Sequence, residues 1–428
     1  MKLPMSAPSL VPSPAWLACV LALVAQVPAL RATDSPQWRG PSRSGSSSES
    51  GLLAQWPQDG PKLSWRVTHC GSGYATPSVV GDRIFLLGNE GLENESVHAL
   101  SASDGSKVWS VRLGKVGKPD QKPSFPGARS TPTVVGPVLY ALGSDGDLAC
   151  VETDSGTVRW RKNLRTEFAG RAGQWAYSES PLVDGNTVVV TPGGTNATML
   201  ALDAKSGDVL WKFASPDGDE AGYSSAIVVE AAGGKQYVQL LQKGLAGVDA
   251  KSGKLLWKWN KSVSKYGANI PSPLLADGVV YAAAAGTGGG AVRLKAASDA
   301  APFEELYFES KLPTAIGGTV QVGPYLYGTT AQSLLCFEAA TGKLKWEDRS
   351  IGAASLYHAG GLLFLRGENG AVALVEPSPD GYREKGRFTP PEAPAKSSPM
   401  EKSWAYPVVA NGKLYLRDHG TLWCYAVR

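Results

Sequence analysis

Two stretches of the chain decide the fold: "ALDAKSGDVLW" (Ala201–Trp211) and "GVDAKSGKLLW" (Gly247–Trp257). Each has Asp at the third place, Gly at the seventh and Trp at the eleventh. Related copies lie at Ala99–Trp109, Cys150–Trp160 and Cys336–Trp346. Self-similarity at an interval of roughly 40–50 residues indicates a repeat architecture.

A second phrase recurs upstream of these turns. It reads "TPSVVGDRIFLLG" from Thr76, "TPTVVGPVLYALG" from Thr131 and "SPLVDGNTVVVTP" from Ser180, with related forms from Ser272 and Tyr406. One unit therefore reads as strand, Gly turn, strand, loop, strand, Gly turn and a strand that ends near Trp. Four antiparallel strands in roughly 40–50 residues is the size of a propeller blade.

The sequence contains eight candidates for the inner (first) strand of a blade and eight candidates for the outer (last) strand. Outer strands are predicted at Trp65, Trp109, Trp160, Trp211, Trp257, Tyr307, Trp346 and Tyr382. Inner strands are predicted to start near Pro77, Pro132, Pro181, Ala226, Pro273, Thr319, Leu356 and Pro407. The first outer strand, Lys62–Val67, has no inner strands before it, and the last three strands have no outer strand after them. Pairing them removes two exposed sheet edges. We predict an all-β, eight-bladed propeller over residues 61–428, closed by its N-terminal strand.

The composition is typical of a turn-rich β protein, with 50 Gly, 30 Pro and 19% charged residues. Residues 1–32 resemble a secretory signal peptide, because Lys2 precedes an apolar stretch. The run Ala15–Ala25 is too short to span a bilayer, so no transmembrane anchor is predicted. Trp16 stands where a lipoprotein signal has an aliphatic residue, which disfavours lipidation at Cys19. We expect an exported monomer, periplasmic or extracellular, with residues 33–60 as an N-terminal extended segment.

The charge of the chain does not indicate any particular class of binding partner. Without Lys2 and Arg31 the chain carries 40 basic and 38 acidic residues, and nothing resembles a nucleic-acid footprint. Cys150, Cys336 and Cys424 occupy one slot of different blades, so they are too far apart for disulfides and are predicted to be buried thiols.

The pattern AxDxxxGxxxW resembles the tryptophan-docking repeat of the pyrroloquinoline-quinone (PQQ) propeller superfamily. That superfamily includes quinoprotein alcohol dehydrogenases and the propeller scaffold of the outer-membrane protein assembly machinery. The resemblance covers about residue 60 to the end and implies the fold rather than the chemistry. We expect the repeat tryptophans to pack on the neighbouring blade, each indole N–H donating to a carbonyl.

Strand register predicts one face for function. Loops between blades, and loops between second and third strands, line the mouth of the central channel, whereas the Gly turns lie on the opposite face. The residues predicted to bind a ligand at this mouth are Arg129, Trp175, Tyr177, Glu179, Asn269, Arg366, Trp404 and Arg417. Aromatic, Arg, Glu and Asn side chains together suit a protein segment or a small polar ligand.

Three functions remain open. The leading one is a non-catalytic, exported propeller that binds at its channel mouth, with no cofactor and no metal. The second is a PQQ- and calcium-dependent oxidoreductase, although the chain has no adjacent Cys pair to sandwich the quinone. The third is an envelope assembly scaffold. No Gly-x-Ser-x-Gly elbow or phosphate-binding loop is present, and the glycine-rich Gly286–Val292 is predicted to be a loop.

Overall fold

In the described residues, the chain forms eight four-stranded antiparallel sheets arranged as the blades of one propeller. The computed structural model describes residues 1, 34–121, 127–231, 234–295, 301–313, 316–396 and 398–428. The predicted signal segment lies outside this range, apart from Met1. No helix in the described ranges has the length and apolar character needed to cross a bilayer.

Each of the first seven blades is a run of four consecutive strands, from the channel outward. Blades 1 to 4 are β2–β5 (Ser78–Val80, Arg83–Glu90, Asn94–Ser101, Lys107–Gly114), β6–β9 (Thr133–Val135, Val138–Leu142, Asp147–Glu152, Val158–Asn163), β10–β13 (Leu182–Asp184, Thr187–Val190, Met199–Asp203, Val209–Phe213) and β14–β17 (Ile227–Ala231, Gly234–Leu241, Gly244–Asp249, Leu255–Trp259). Blades 5 to 7 are β18–β21 (Leu274–Ala276, Val279–Ala284, Gly288–Leu294, Phe303–Glu309), β22–β25 (Thr319–Val322, Tyr325–Thr329, Leu334–Glu338, Leu344–Asp348) and β26–β29 (Ala354–Ala359, Leu362–Gly367, Val372–Val375, Glu384–Phe388). A short helix, α1 (Leu164–Phe168), follows β9.

Blade 8 closes the ring with strands from both ends of the chain. Its inner strands are β30 (Val408–Ala410), β31 (Lys413–Asp418) and β32 (Thr421–Ala426), and its outer strand is β1 (Lys62–Val67). The β1–β32 register runs from Lys62 opposite Ala426 to Val67 opposite Leu422. The predicted eight-bladed fold and its closure are confirmed.

Most repeat tryptophans pack between blades as predicted. Trp211 Nε1 donates to the carbonyl of Ala250 at 3.1 Å, and its ring lies over Gly253, where an added Cβ would stand 2.5 Å from the indole. Gly253 has φ +72°, which an L side chain rarely adopts. Equivalent bonds to the next blade's turn are made by Trp65, Trp109, Trp160 and Trp346.

Trp257 packs on the neighbouring blade, with its ring centroid 5.7 Å from that of Phe303 in blade 5, but the predicted donation of its indole N–H to a carbonyl of that blade was wrong. Its Nε1 donates to Gln236 Oε1 at 2.7 Å, within its own blade. Trp259, two residues later, reaches the next blade instead and donates to Glu305 at 2.8 Å. The sequence of the connection from β20 to β21, residues 295–302, contains no glycine.

The glycine-rich stretch was also misassigned. Gly288–Leu294 forms β20, the third strand of blade 5, rather than a loop. An added Cβ at Gly289 would lie 2.2 Å from Tyr281 Oη, and one at Gly290 would lie 2.5 Å from the carbonyl of Tyr307. These glycines therefore make room for close packing inside the blade.

The cysteines fill core positions. Cys150 lies opposite Tyr140 on one side and Trp160 on the other, and Cys336 and Cys424 have the same kind of neighbours in blades 6 and 8. Together with Cys70, all are buried free thiols. Burial raises the pKa of Cys150 and of Cys424 to about 11, so both stay protonated at neutral pH.

The recurring Thr or Ser of the "TP/SP" phrase links neighbouring blades near the channel. The amide of Thr131 donates to Ser180 Oγ at 2.9 Å, that of Ser180 to Ser225 Oγ at 2.9 Å, and that of Ser225 to Ser272 Oγ at 3.0 Å. Across the closure, the amide of Tyr406 donates to Thr76 Oγ1. The phrase thus specifies blade-to-blade contacts as well as a strand start.

The N-terminal segment occupies the central channel. Residues 35–49, here called the channel segment, contact the innermost part of seven of the eight blades. Their partners are Val79, Val134, Ser180, Ser272, Thr319, His358 and Gly412. Since these residues are distributed around the ring, the segment lies on its axis. The chain then runs to β1 past Leu53, whose amide donates to the carbonyl of Val427.

Candidate functional site: an aromatic pocket at the channel mouth

Loops between blades enclose a cavity of about 290 Å³, here called the mouth pocket. Seven of the eight connections from an outer strand to the next inner strand line it. In six blades the lining residue stands four positions before the first residue of the inner strand. These residues are Tyr74, Arg129, Ser178, Tyr223, Ile270 and Trp404. The same position of the repeat therefore lines the mouth pocket in six blades. In blade 6 the lining residue of this loop is Ile316.

Six aromatic residues line the mouth pocket. Trp38 and Tyr406 meet edge to face with centroids 4.5 Å apart, Tyr74 and Trp404 are 5.0 Å apart, and Trp175 and Tyr223 are 5.7 Å apart. Such tilted and edge-on pairs are the preferred arrangement of aromatic side chains. The rings hold one another and present an apolar surface to any occupant.

Trp38 belongs to the channel segment and lines the mouth pocket from the channel side. Its Nε1 donates to Ser272 Oγ at 3.0 Å, the same hydroxyl that accepts the amide of Ser225. The next residue, Arg39, is buried and donates to the carbonyl of Thr319. Because the channel segment fills the space below, the mouth pocket is a blind cavity rather than the entrance of an open pore.

A few polar groups interrupt this apolar wall. Arg129 Nη2 donates to Gln121 Oε1 at 2.9 Å, and its guanidinium carbon lies 5.0 Å from the centroid of the Tyr74 ring. The hydroxyls of Tyr74 and Ser178 are buried and have no hydrogen-bond partner among the described residues. Burial raises the pKa of Tyr74 well above its ordinary value, so this hydroxyl remains a donor at neutral pH.

Three of the eight residues predicted to bind a ligand line the mouth pocket: Arg129, Trp175 and Trp404. The other five side chains are buried and bonded to the protein itself. Tyr177 Oη donates to the carbonyl of Pro192 at 2.8 Å, and Asn269 binds the amide of Ser264 and the carbonyl of Leu241. By strand order, all eight belong to loops or hairpins at the same end of the blades.

Glu179 accepts hydrogen bonds from the amide of Thr191 and from Gln239 Nε2. Burial raises its pKa to about 7, against the lowering effect of the Thr191 bonds and of Arg43. Arg366 donates to the carbonyl of Gly370 and lies 3.8 Å from Asp418.

Arg417 ties blade 8 to blade 1. Its guanidinium donates to the carbonyls of Ala75 at 2.7 Å, Leu87 at 2.6 Å and Gly71 at 3.0 Å. Burial lowers the pKa of Arg417 to about 10, and the side chain stays charged at neutral pH. In this structure the guanidinium is bonded across the closure rather than lining the mouth pocket.

Several lining residues were missed from the sequence. Trp38 lies outside the repeat, so the predicted strand register could not show where it lies in the fold. Tyr74 and Ile270 occupy the same slot as Arg129 and Trp404, and an alignment of the "TP/SP" phrases would have identified them. Ile316 stands three positions before β22 and is followed by no such phrase. Met400 comes from the Pro/Ser-rich connection before blade 8 and is 53% exposed at the pocket rim.

The donor set does not suit PQQ with calcium. The described lining of the mouth pocket includes no carboxylate and no side-chain amide, whereas calcium takes six to eight oxygen ligands. The cysteines lie singly in separate places, so none can form the adjacent pair that sandwiches the quinone in the dehydrogenases. Elsewhere in the described residues, no cluster of three His, Cys, Asp or Glu side chains could hold a metal ion.

Comparison with known proteins places the chain among the PQQ-like propellers. A family model described as "Outer membrane protein assembly factor BamB" matches residues 93–347, more than half of the chain. The outer membrane protein assembly factor BamB of Salmonella typhimurium is 27% identical over 121 residues, which is 28% of each chain. The chain thus matches less than a third of the length of this curated relative.

Solved structures show the same fold at low identity. BamB from Moraxella catarrhalis superposes with a TM-score of 0.59 at 15% identity, over 88% of this chain and 100% of that one. The quinohemoprotein alcohol dehydrogenase of Comamonas testosteroni superposes with a TM-score of 0.51 at 12% identity, over 92% and 80%. Both likenesses concern the fold alone. The family match over residues 93–347, together with the eight four-stranded blades, shows that this chain belongs to the PQQ-like β-propeller repeat family described as outer membrane protein assembly factor BamB.

Proposed function

We propose that this chain is an exported, non-catalytic propeller that binds a segment of another protein in its mouth pocket. The observation that carries the proposal is the pocket wall: six aromatic residues and Arg129 surround a blind cavity at one end of the channel. Trp, Tyr and Arg are the residues that most often dominate binding energy at protein interfaces. A partner side chain entering this cavity would bury apolar surface on nearly every side.

The pocket chemistry favours binding over catalysis. Acid–base and nucleophilic catalysis need a base within hydrogen-bond reach of a nucleophile. Among the described lining residues, the hydroxyls of Thr76, Ser178 and the tyrosines stand without a carboxylate or histidine beside them in the cavity. Most of the remaining wall is aromatic or aliphatic, which suits an apolar occupant.

The relatives favour a protein partner over a small molecule. The matching family model and the curated relative of Salmonella typhimurium are both described as outer membrane protein assembly factor BamB. We therefore place the chain in the cell envelope, on the periplasmic side or beyond, and include a role as an assembly scaffold within the proposal. The partly exposed Met400 gives the pocket an apolar rim on which a partner chain can rest.

Site-specific photo-crosslinking tests the function. A photoreactive amino acid at Met400 should give adducts with a partner protein in cells. The same amino acid at the exposed Lys205, in a Gly turn on the opposite face, should give none. Adding Trp175→Ala and Trp404→Ala should abolish the Met400 adduct. Equal labelling at both positions, or an adduct that survives the double substitution, would contradict the proposal. A shift in melting temperature and absorbance on adding PQQ with calcium would favour the oxidoreductase instead.

A further inference from the structure

We propose that Trp38 is the specificity-determining residue of the mouth pocket. It closes the cavity below one uncharged, apolar side chain of the partner and limits how long that side chain can be. This inference rests on the proposed function and adds which group of the partner enters the cavity. Trp38 acts by direct contact, since its own side chain lines the pocket.

The polar atoms of the pocket wall are turned into the protein. Tyr223 Oη accepts an amide N–H of the loop before blade 3 at 3.2 Å, and Tyr406 Oη donates to the carbonyl of Ile316 at 2.6 Å. The hydroxyls of Tyr74 and Ser178 are closed off from solvent, so they do not open on the cavity. An occupant therefore meets ring faces and edges, and a charged group placed inside would lose its hydration without compensation.

The one charged side chain of the described lining is engaged by the protein. Arg129 Nη2 donates to Gln121 Oε1 at 2.9 Å, and its guanidinium carbon lies 5.0 Å from the centroid of the Tyr74 ring. Burial lowers the pKa of Arg129, and electrostatic interactions with Tyr74 and with the buried Glu95 counter this effect. Because the protein itself holds this guanidinium, the pocket requires no ion from its occupant.

Trp38 is fixed at the channel side of the cavity. Its Nε1 donates to Ser272 Oγ at 3.0 Å, and its ring meets that of Tyr406 edge to face, with centroids 4.5 Å apart. The next residue, Arg39, is buried and donates to the carbonyl of Thr319, which anchors the backbone beneath the indole. The floor of the pocket therefore does not yield to a longer occupant.

The size of the cavity suits one inserted side chain. Its volume of about 290 Å³ lies at the lower end of the ~300–1,000 Å³ range of pockets for drug-sized ligands. The tilted ring pairs of the wall have centroid separations of 4.5 to 5.7 Å and offer edges and faces to a further apolar group. Since Trp38 closes the channel side, a side chain enters from the rim, and a chain cannot run through.

Neutral probes of two lengths test the role of Trp38 in the full protein by ligand-observed NMR titration. N-acetylphenylalaninamide should bind the unaltered protein, and its 4-phenyl derivative, whose second ring would meet Trp38, should bind no more tightly. Trp38→Ala should open the floor, so the 4-phenyl derivative should bind this variant about tenfold more tightly than the unaltered protein. A loss of structure cannot produce this gain. Ser42→Ala, in the same segment but outside the lining, should bind both probes as the unaltered protein does.

Charged probes test the apolar character of the occupant. The 4-carboxy and 4-aminomethyl derivatives of N-acetylphenylalaninamide place a charge on the ring that enters the cavity. Both should bind the unaltered protein at least tenfold more weakly than the neutral parent. Equal or tighter binding of either derivative would overturn the requirement for an uncharged side chain.

The remaining outcomes separate this inference from the proposed function. If the 4-phenyl derivative bound the unaltered protein more tightly than its parent, or gained nothing from a folded Trp38→Ala, Trp38 would not limit the occupant. Should Trp38→Ala fail to fold, as judged by thermal melting, Trp38→Leu replaces it and must show a gain in the same direction. No binding of any probe would overturn the inference, while a persisting Met400 adduct would leave the protein-binding function standing. Loss of that adduct as well would remove both.

Discussion

The packing of a Trp of one blade on a Gly of the next explains why the repeat can be recognised in the sequence. The glycine of one blade gives the flat, left-handed turn on which the indole of the preceding blade lies, as at Gly253 beneath Trp211. The Asp of the same turn caps it from within: Asp249 Oδ1 accepts from the amide of Ser252 at 2.7 Å. The Gly permits the positive φ of the turn, the Asp caps the turn, and the Trp packs on the next blade. The pattern therefore predicts both the turn and the contact between blades.

The residue scale gives the first prediction. Trp211→Ala should lower the free energy of unfolding by roughly 3–5 kcal/mol, because it empties a large buried site and leaves the Ala250 carbonyl without its donor. Trp175→Ala, at a half-buried ring in the mouth pocket, is the matched control and should cost under about 1 kcal/mol. Urea denaturation of both variants measures the difference. Similar losses of unfolding free energy in the two variants would mean that the docked indole of Trp211 contributes no more to stability than the pocket residue Trp175.

At the scale of elements, the blades were predictable and the channel segment was not. Inner and outer strands could be placed because apolar periodicity and turn glycines repeat along the chain. Residues 35–49 occur once, so no repeat revealed that they enter the channel and supply Trp38 to the pocket. Likewise, register sent Arg366 and Arg417 to the correct end of the blades but could not show that both are buried against backbone carbonyls.

The channel segment carries the second prediction. Arg43 is buried and donates to the carbonyls of Ser180 at 2.8 Å and Pro181 at 3.1 Å. Burial lowers its pKa to about 9, so it remains charged at neutral pH. Arg43→Ala should leave the Ser180 carbonyl without its donor and the Pro181 carbonyl with Thr133 Oγ1 as its remaining donor, and cost roughly 2–4 kcal/mol.

The exposed Ser42 lies beside Arg43 in the same segment and provides the control. Ser42→Ala should change the free energy of unfolding by less than about 0.5 kcal/mol. Thermal melting, with limited proteolysis of residues 35–49, measures both effects. If Arg43→Ala melted like Ser42→Ala and resisted protease equally, the segment would be a dispensable filling of the channel.

At the scale of the whole molecule, closure joins two ends that lie far apart in sequence. β1 completes blade 8, Arg417 donates across the boundary to blade 1, and the Tyr406 amide reaches Thr76. The closure was predictable, since the unpaired first and last strands could satisfy each other in only one way. The mouth pocket was only partly predictable, because it depends on which loop side chains turn inward and on a segment outside the repeat.

Closure gives the third prediction, which concerns the cooperativity of the ring. Lys62 and Ala426 face each other across β1 and β32, at a separation that a disulfide can bridge. Lys62→Cys with Ala426→Cys closes a loop of almost the whole propeller. By chain entropy, this should stabilise the oxidised form by several kcal/mol, more than a cross-link over a short loop.

Glu230→Cys with Lys235→Cys, a facing pair within one hairpin of blade 4, is the matched short-loop control. Denaturation of the oxidised and reduced forms of both variants compares them. If separation of β1 from β32 initiates unfolding, only the closure cross-link should raise the midpoint strongly. If both cross-links acted alike, unfolding would begin elsewhere in the ring, and the closing strand would stabilise its own blade alone.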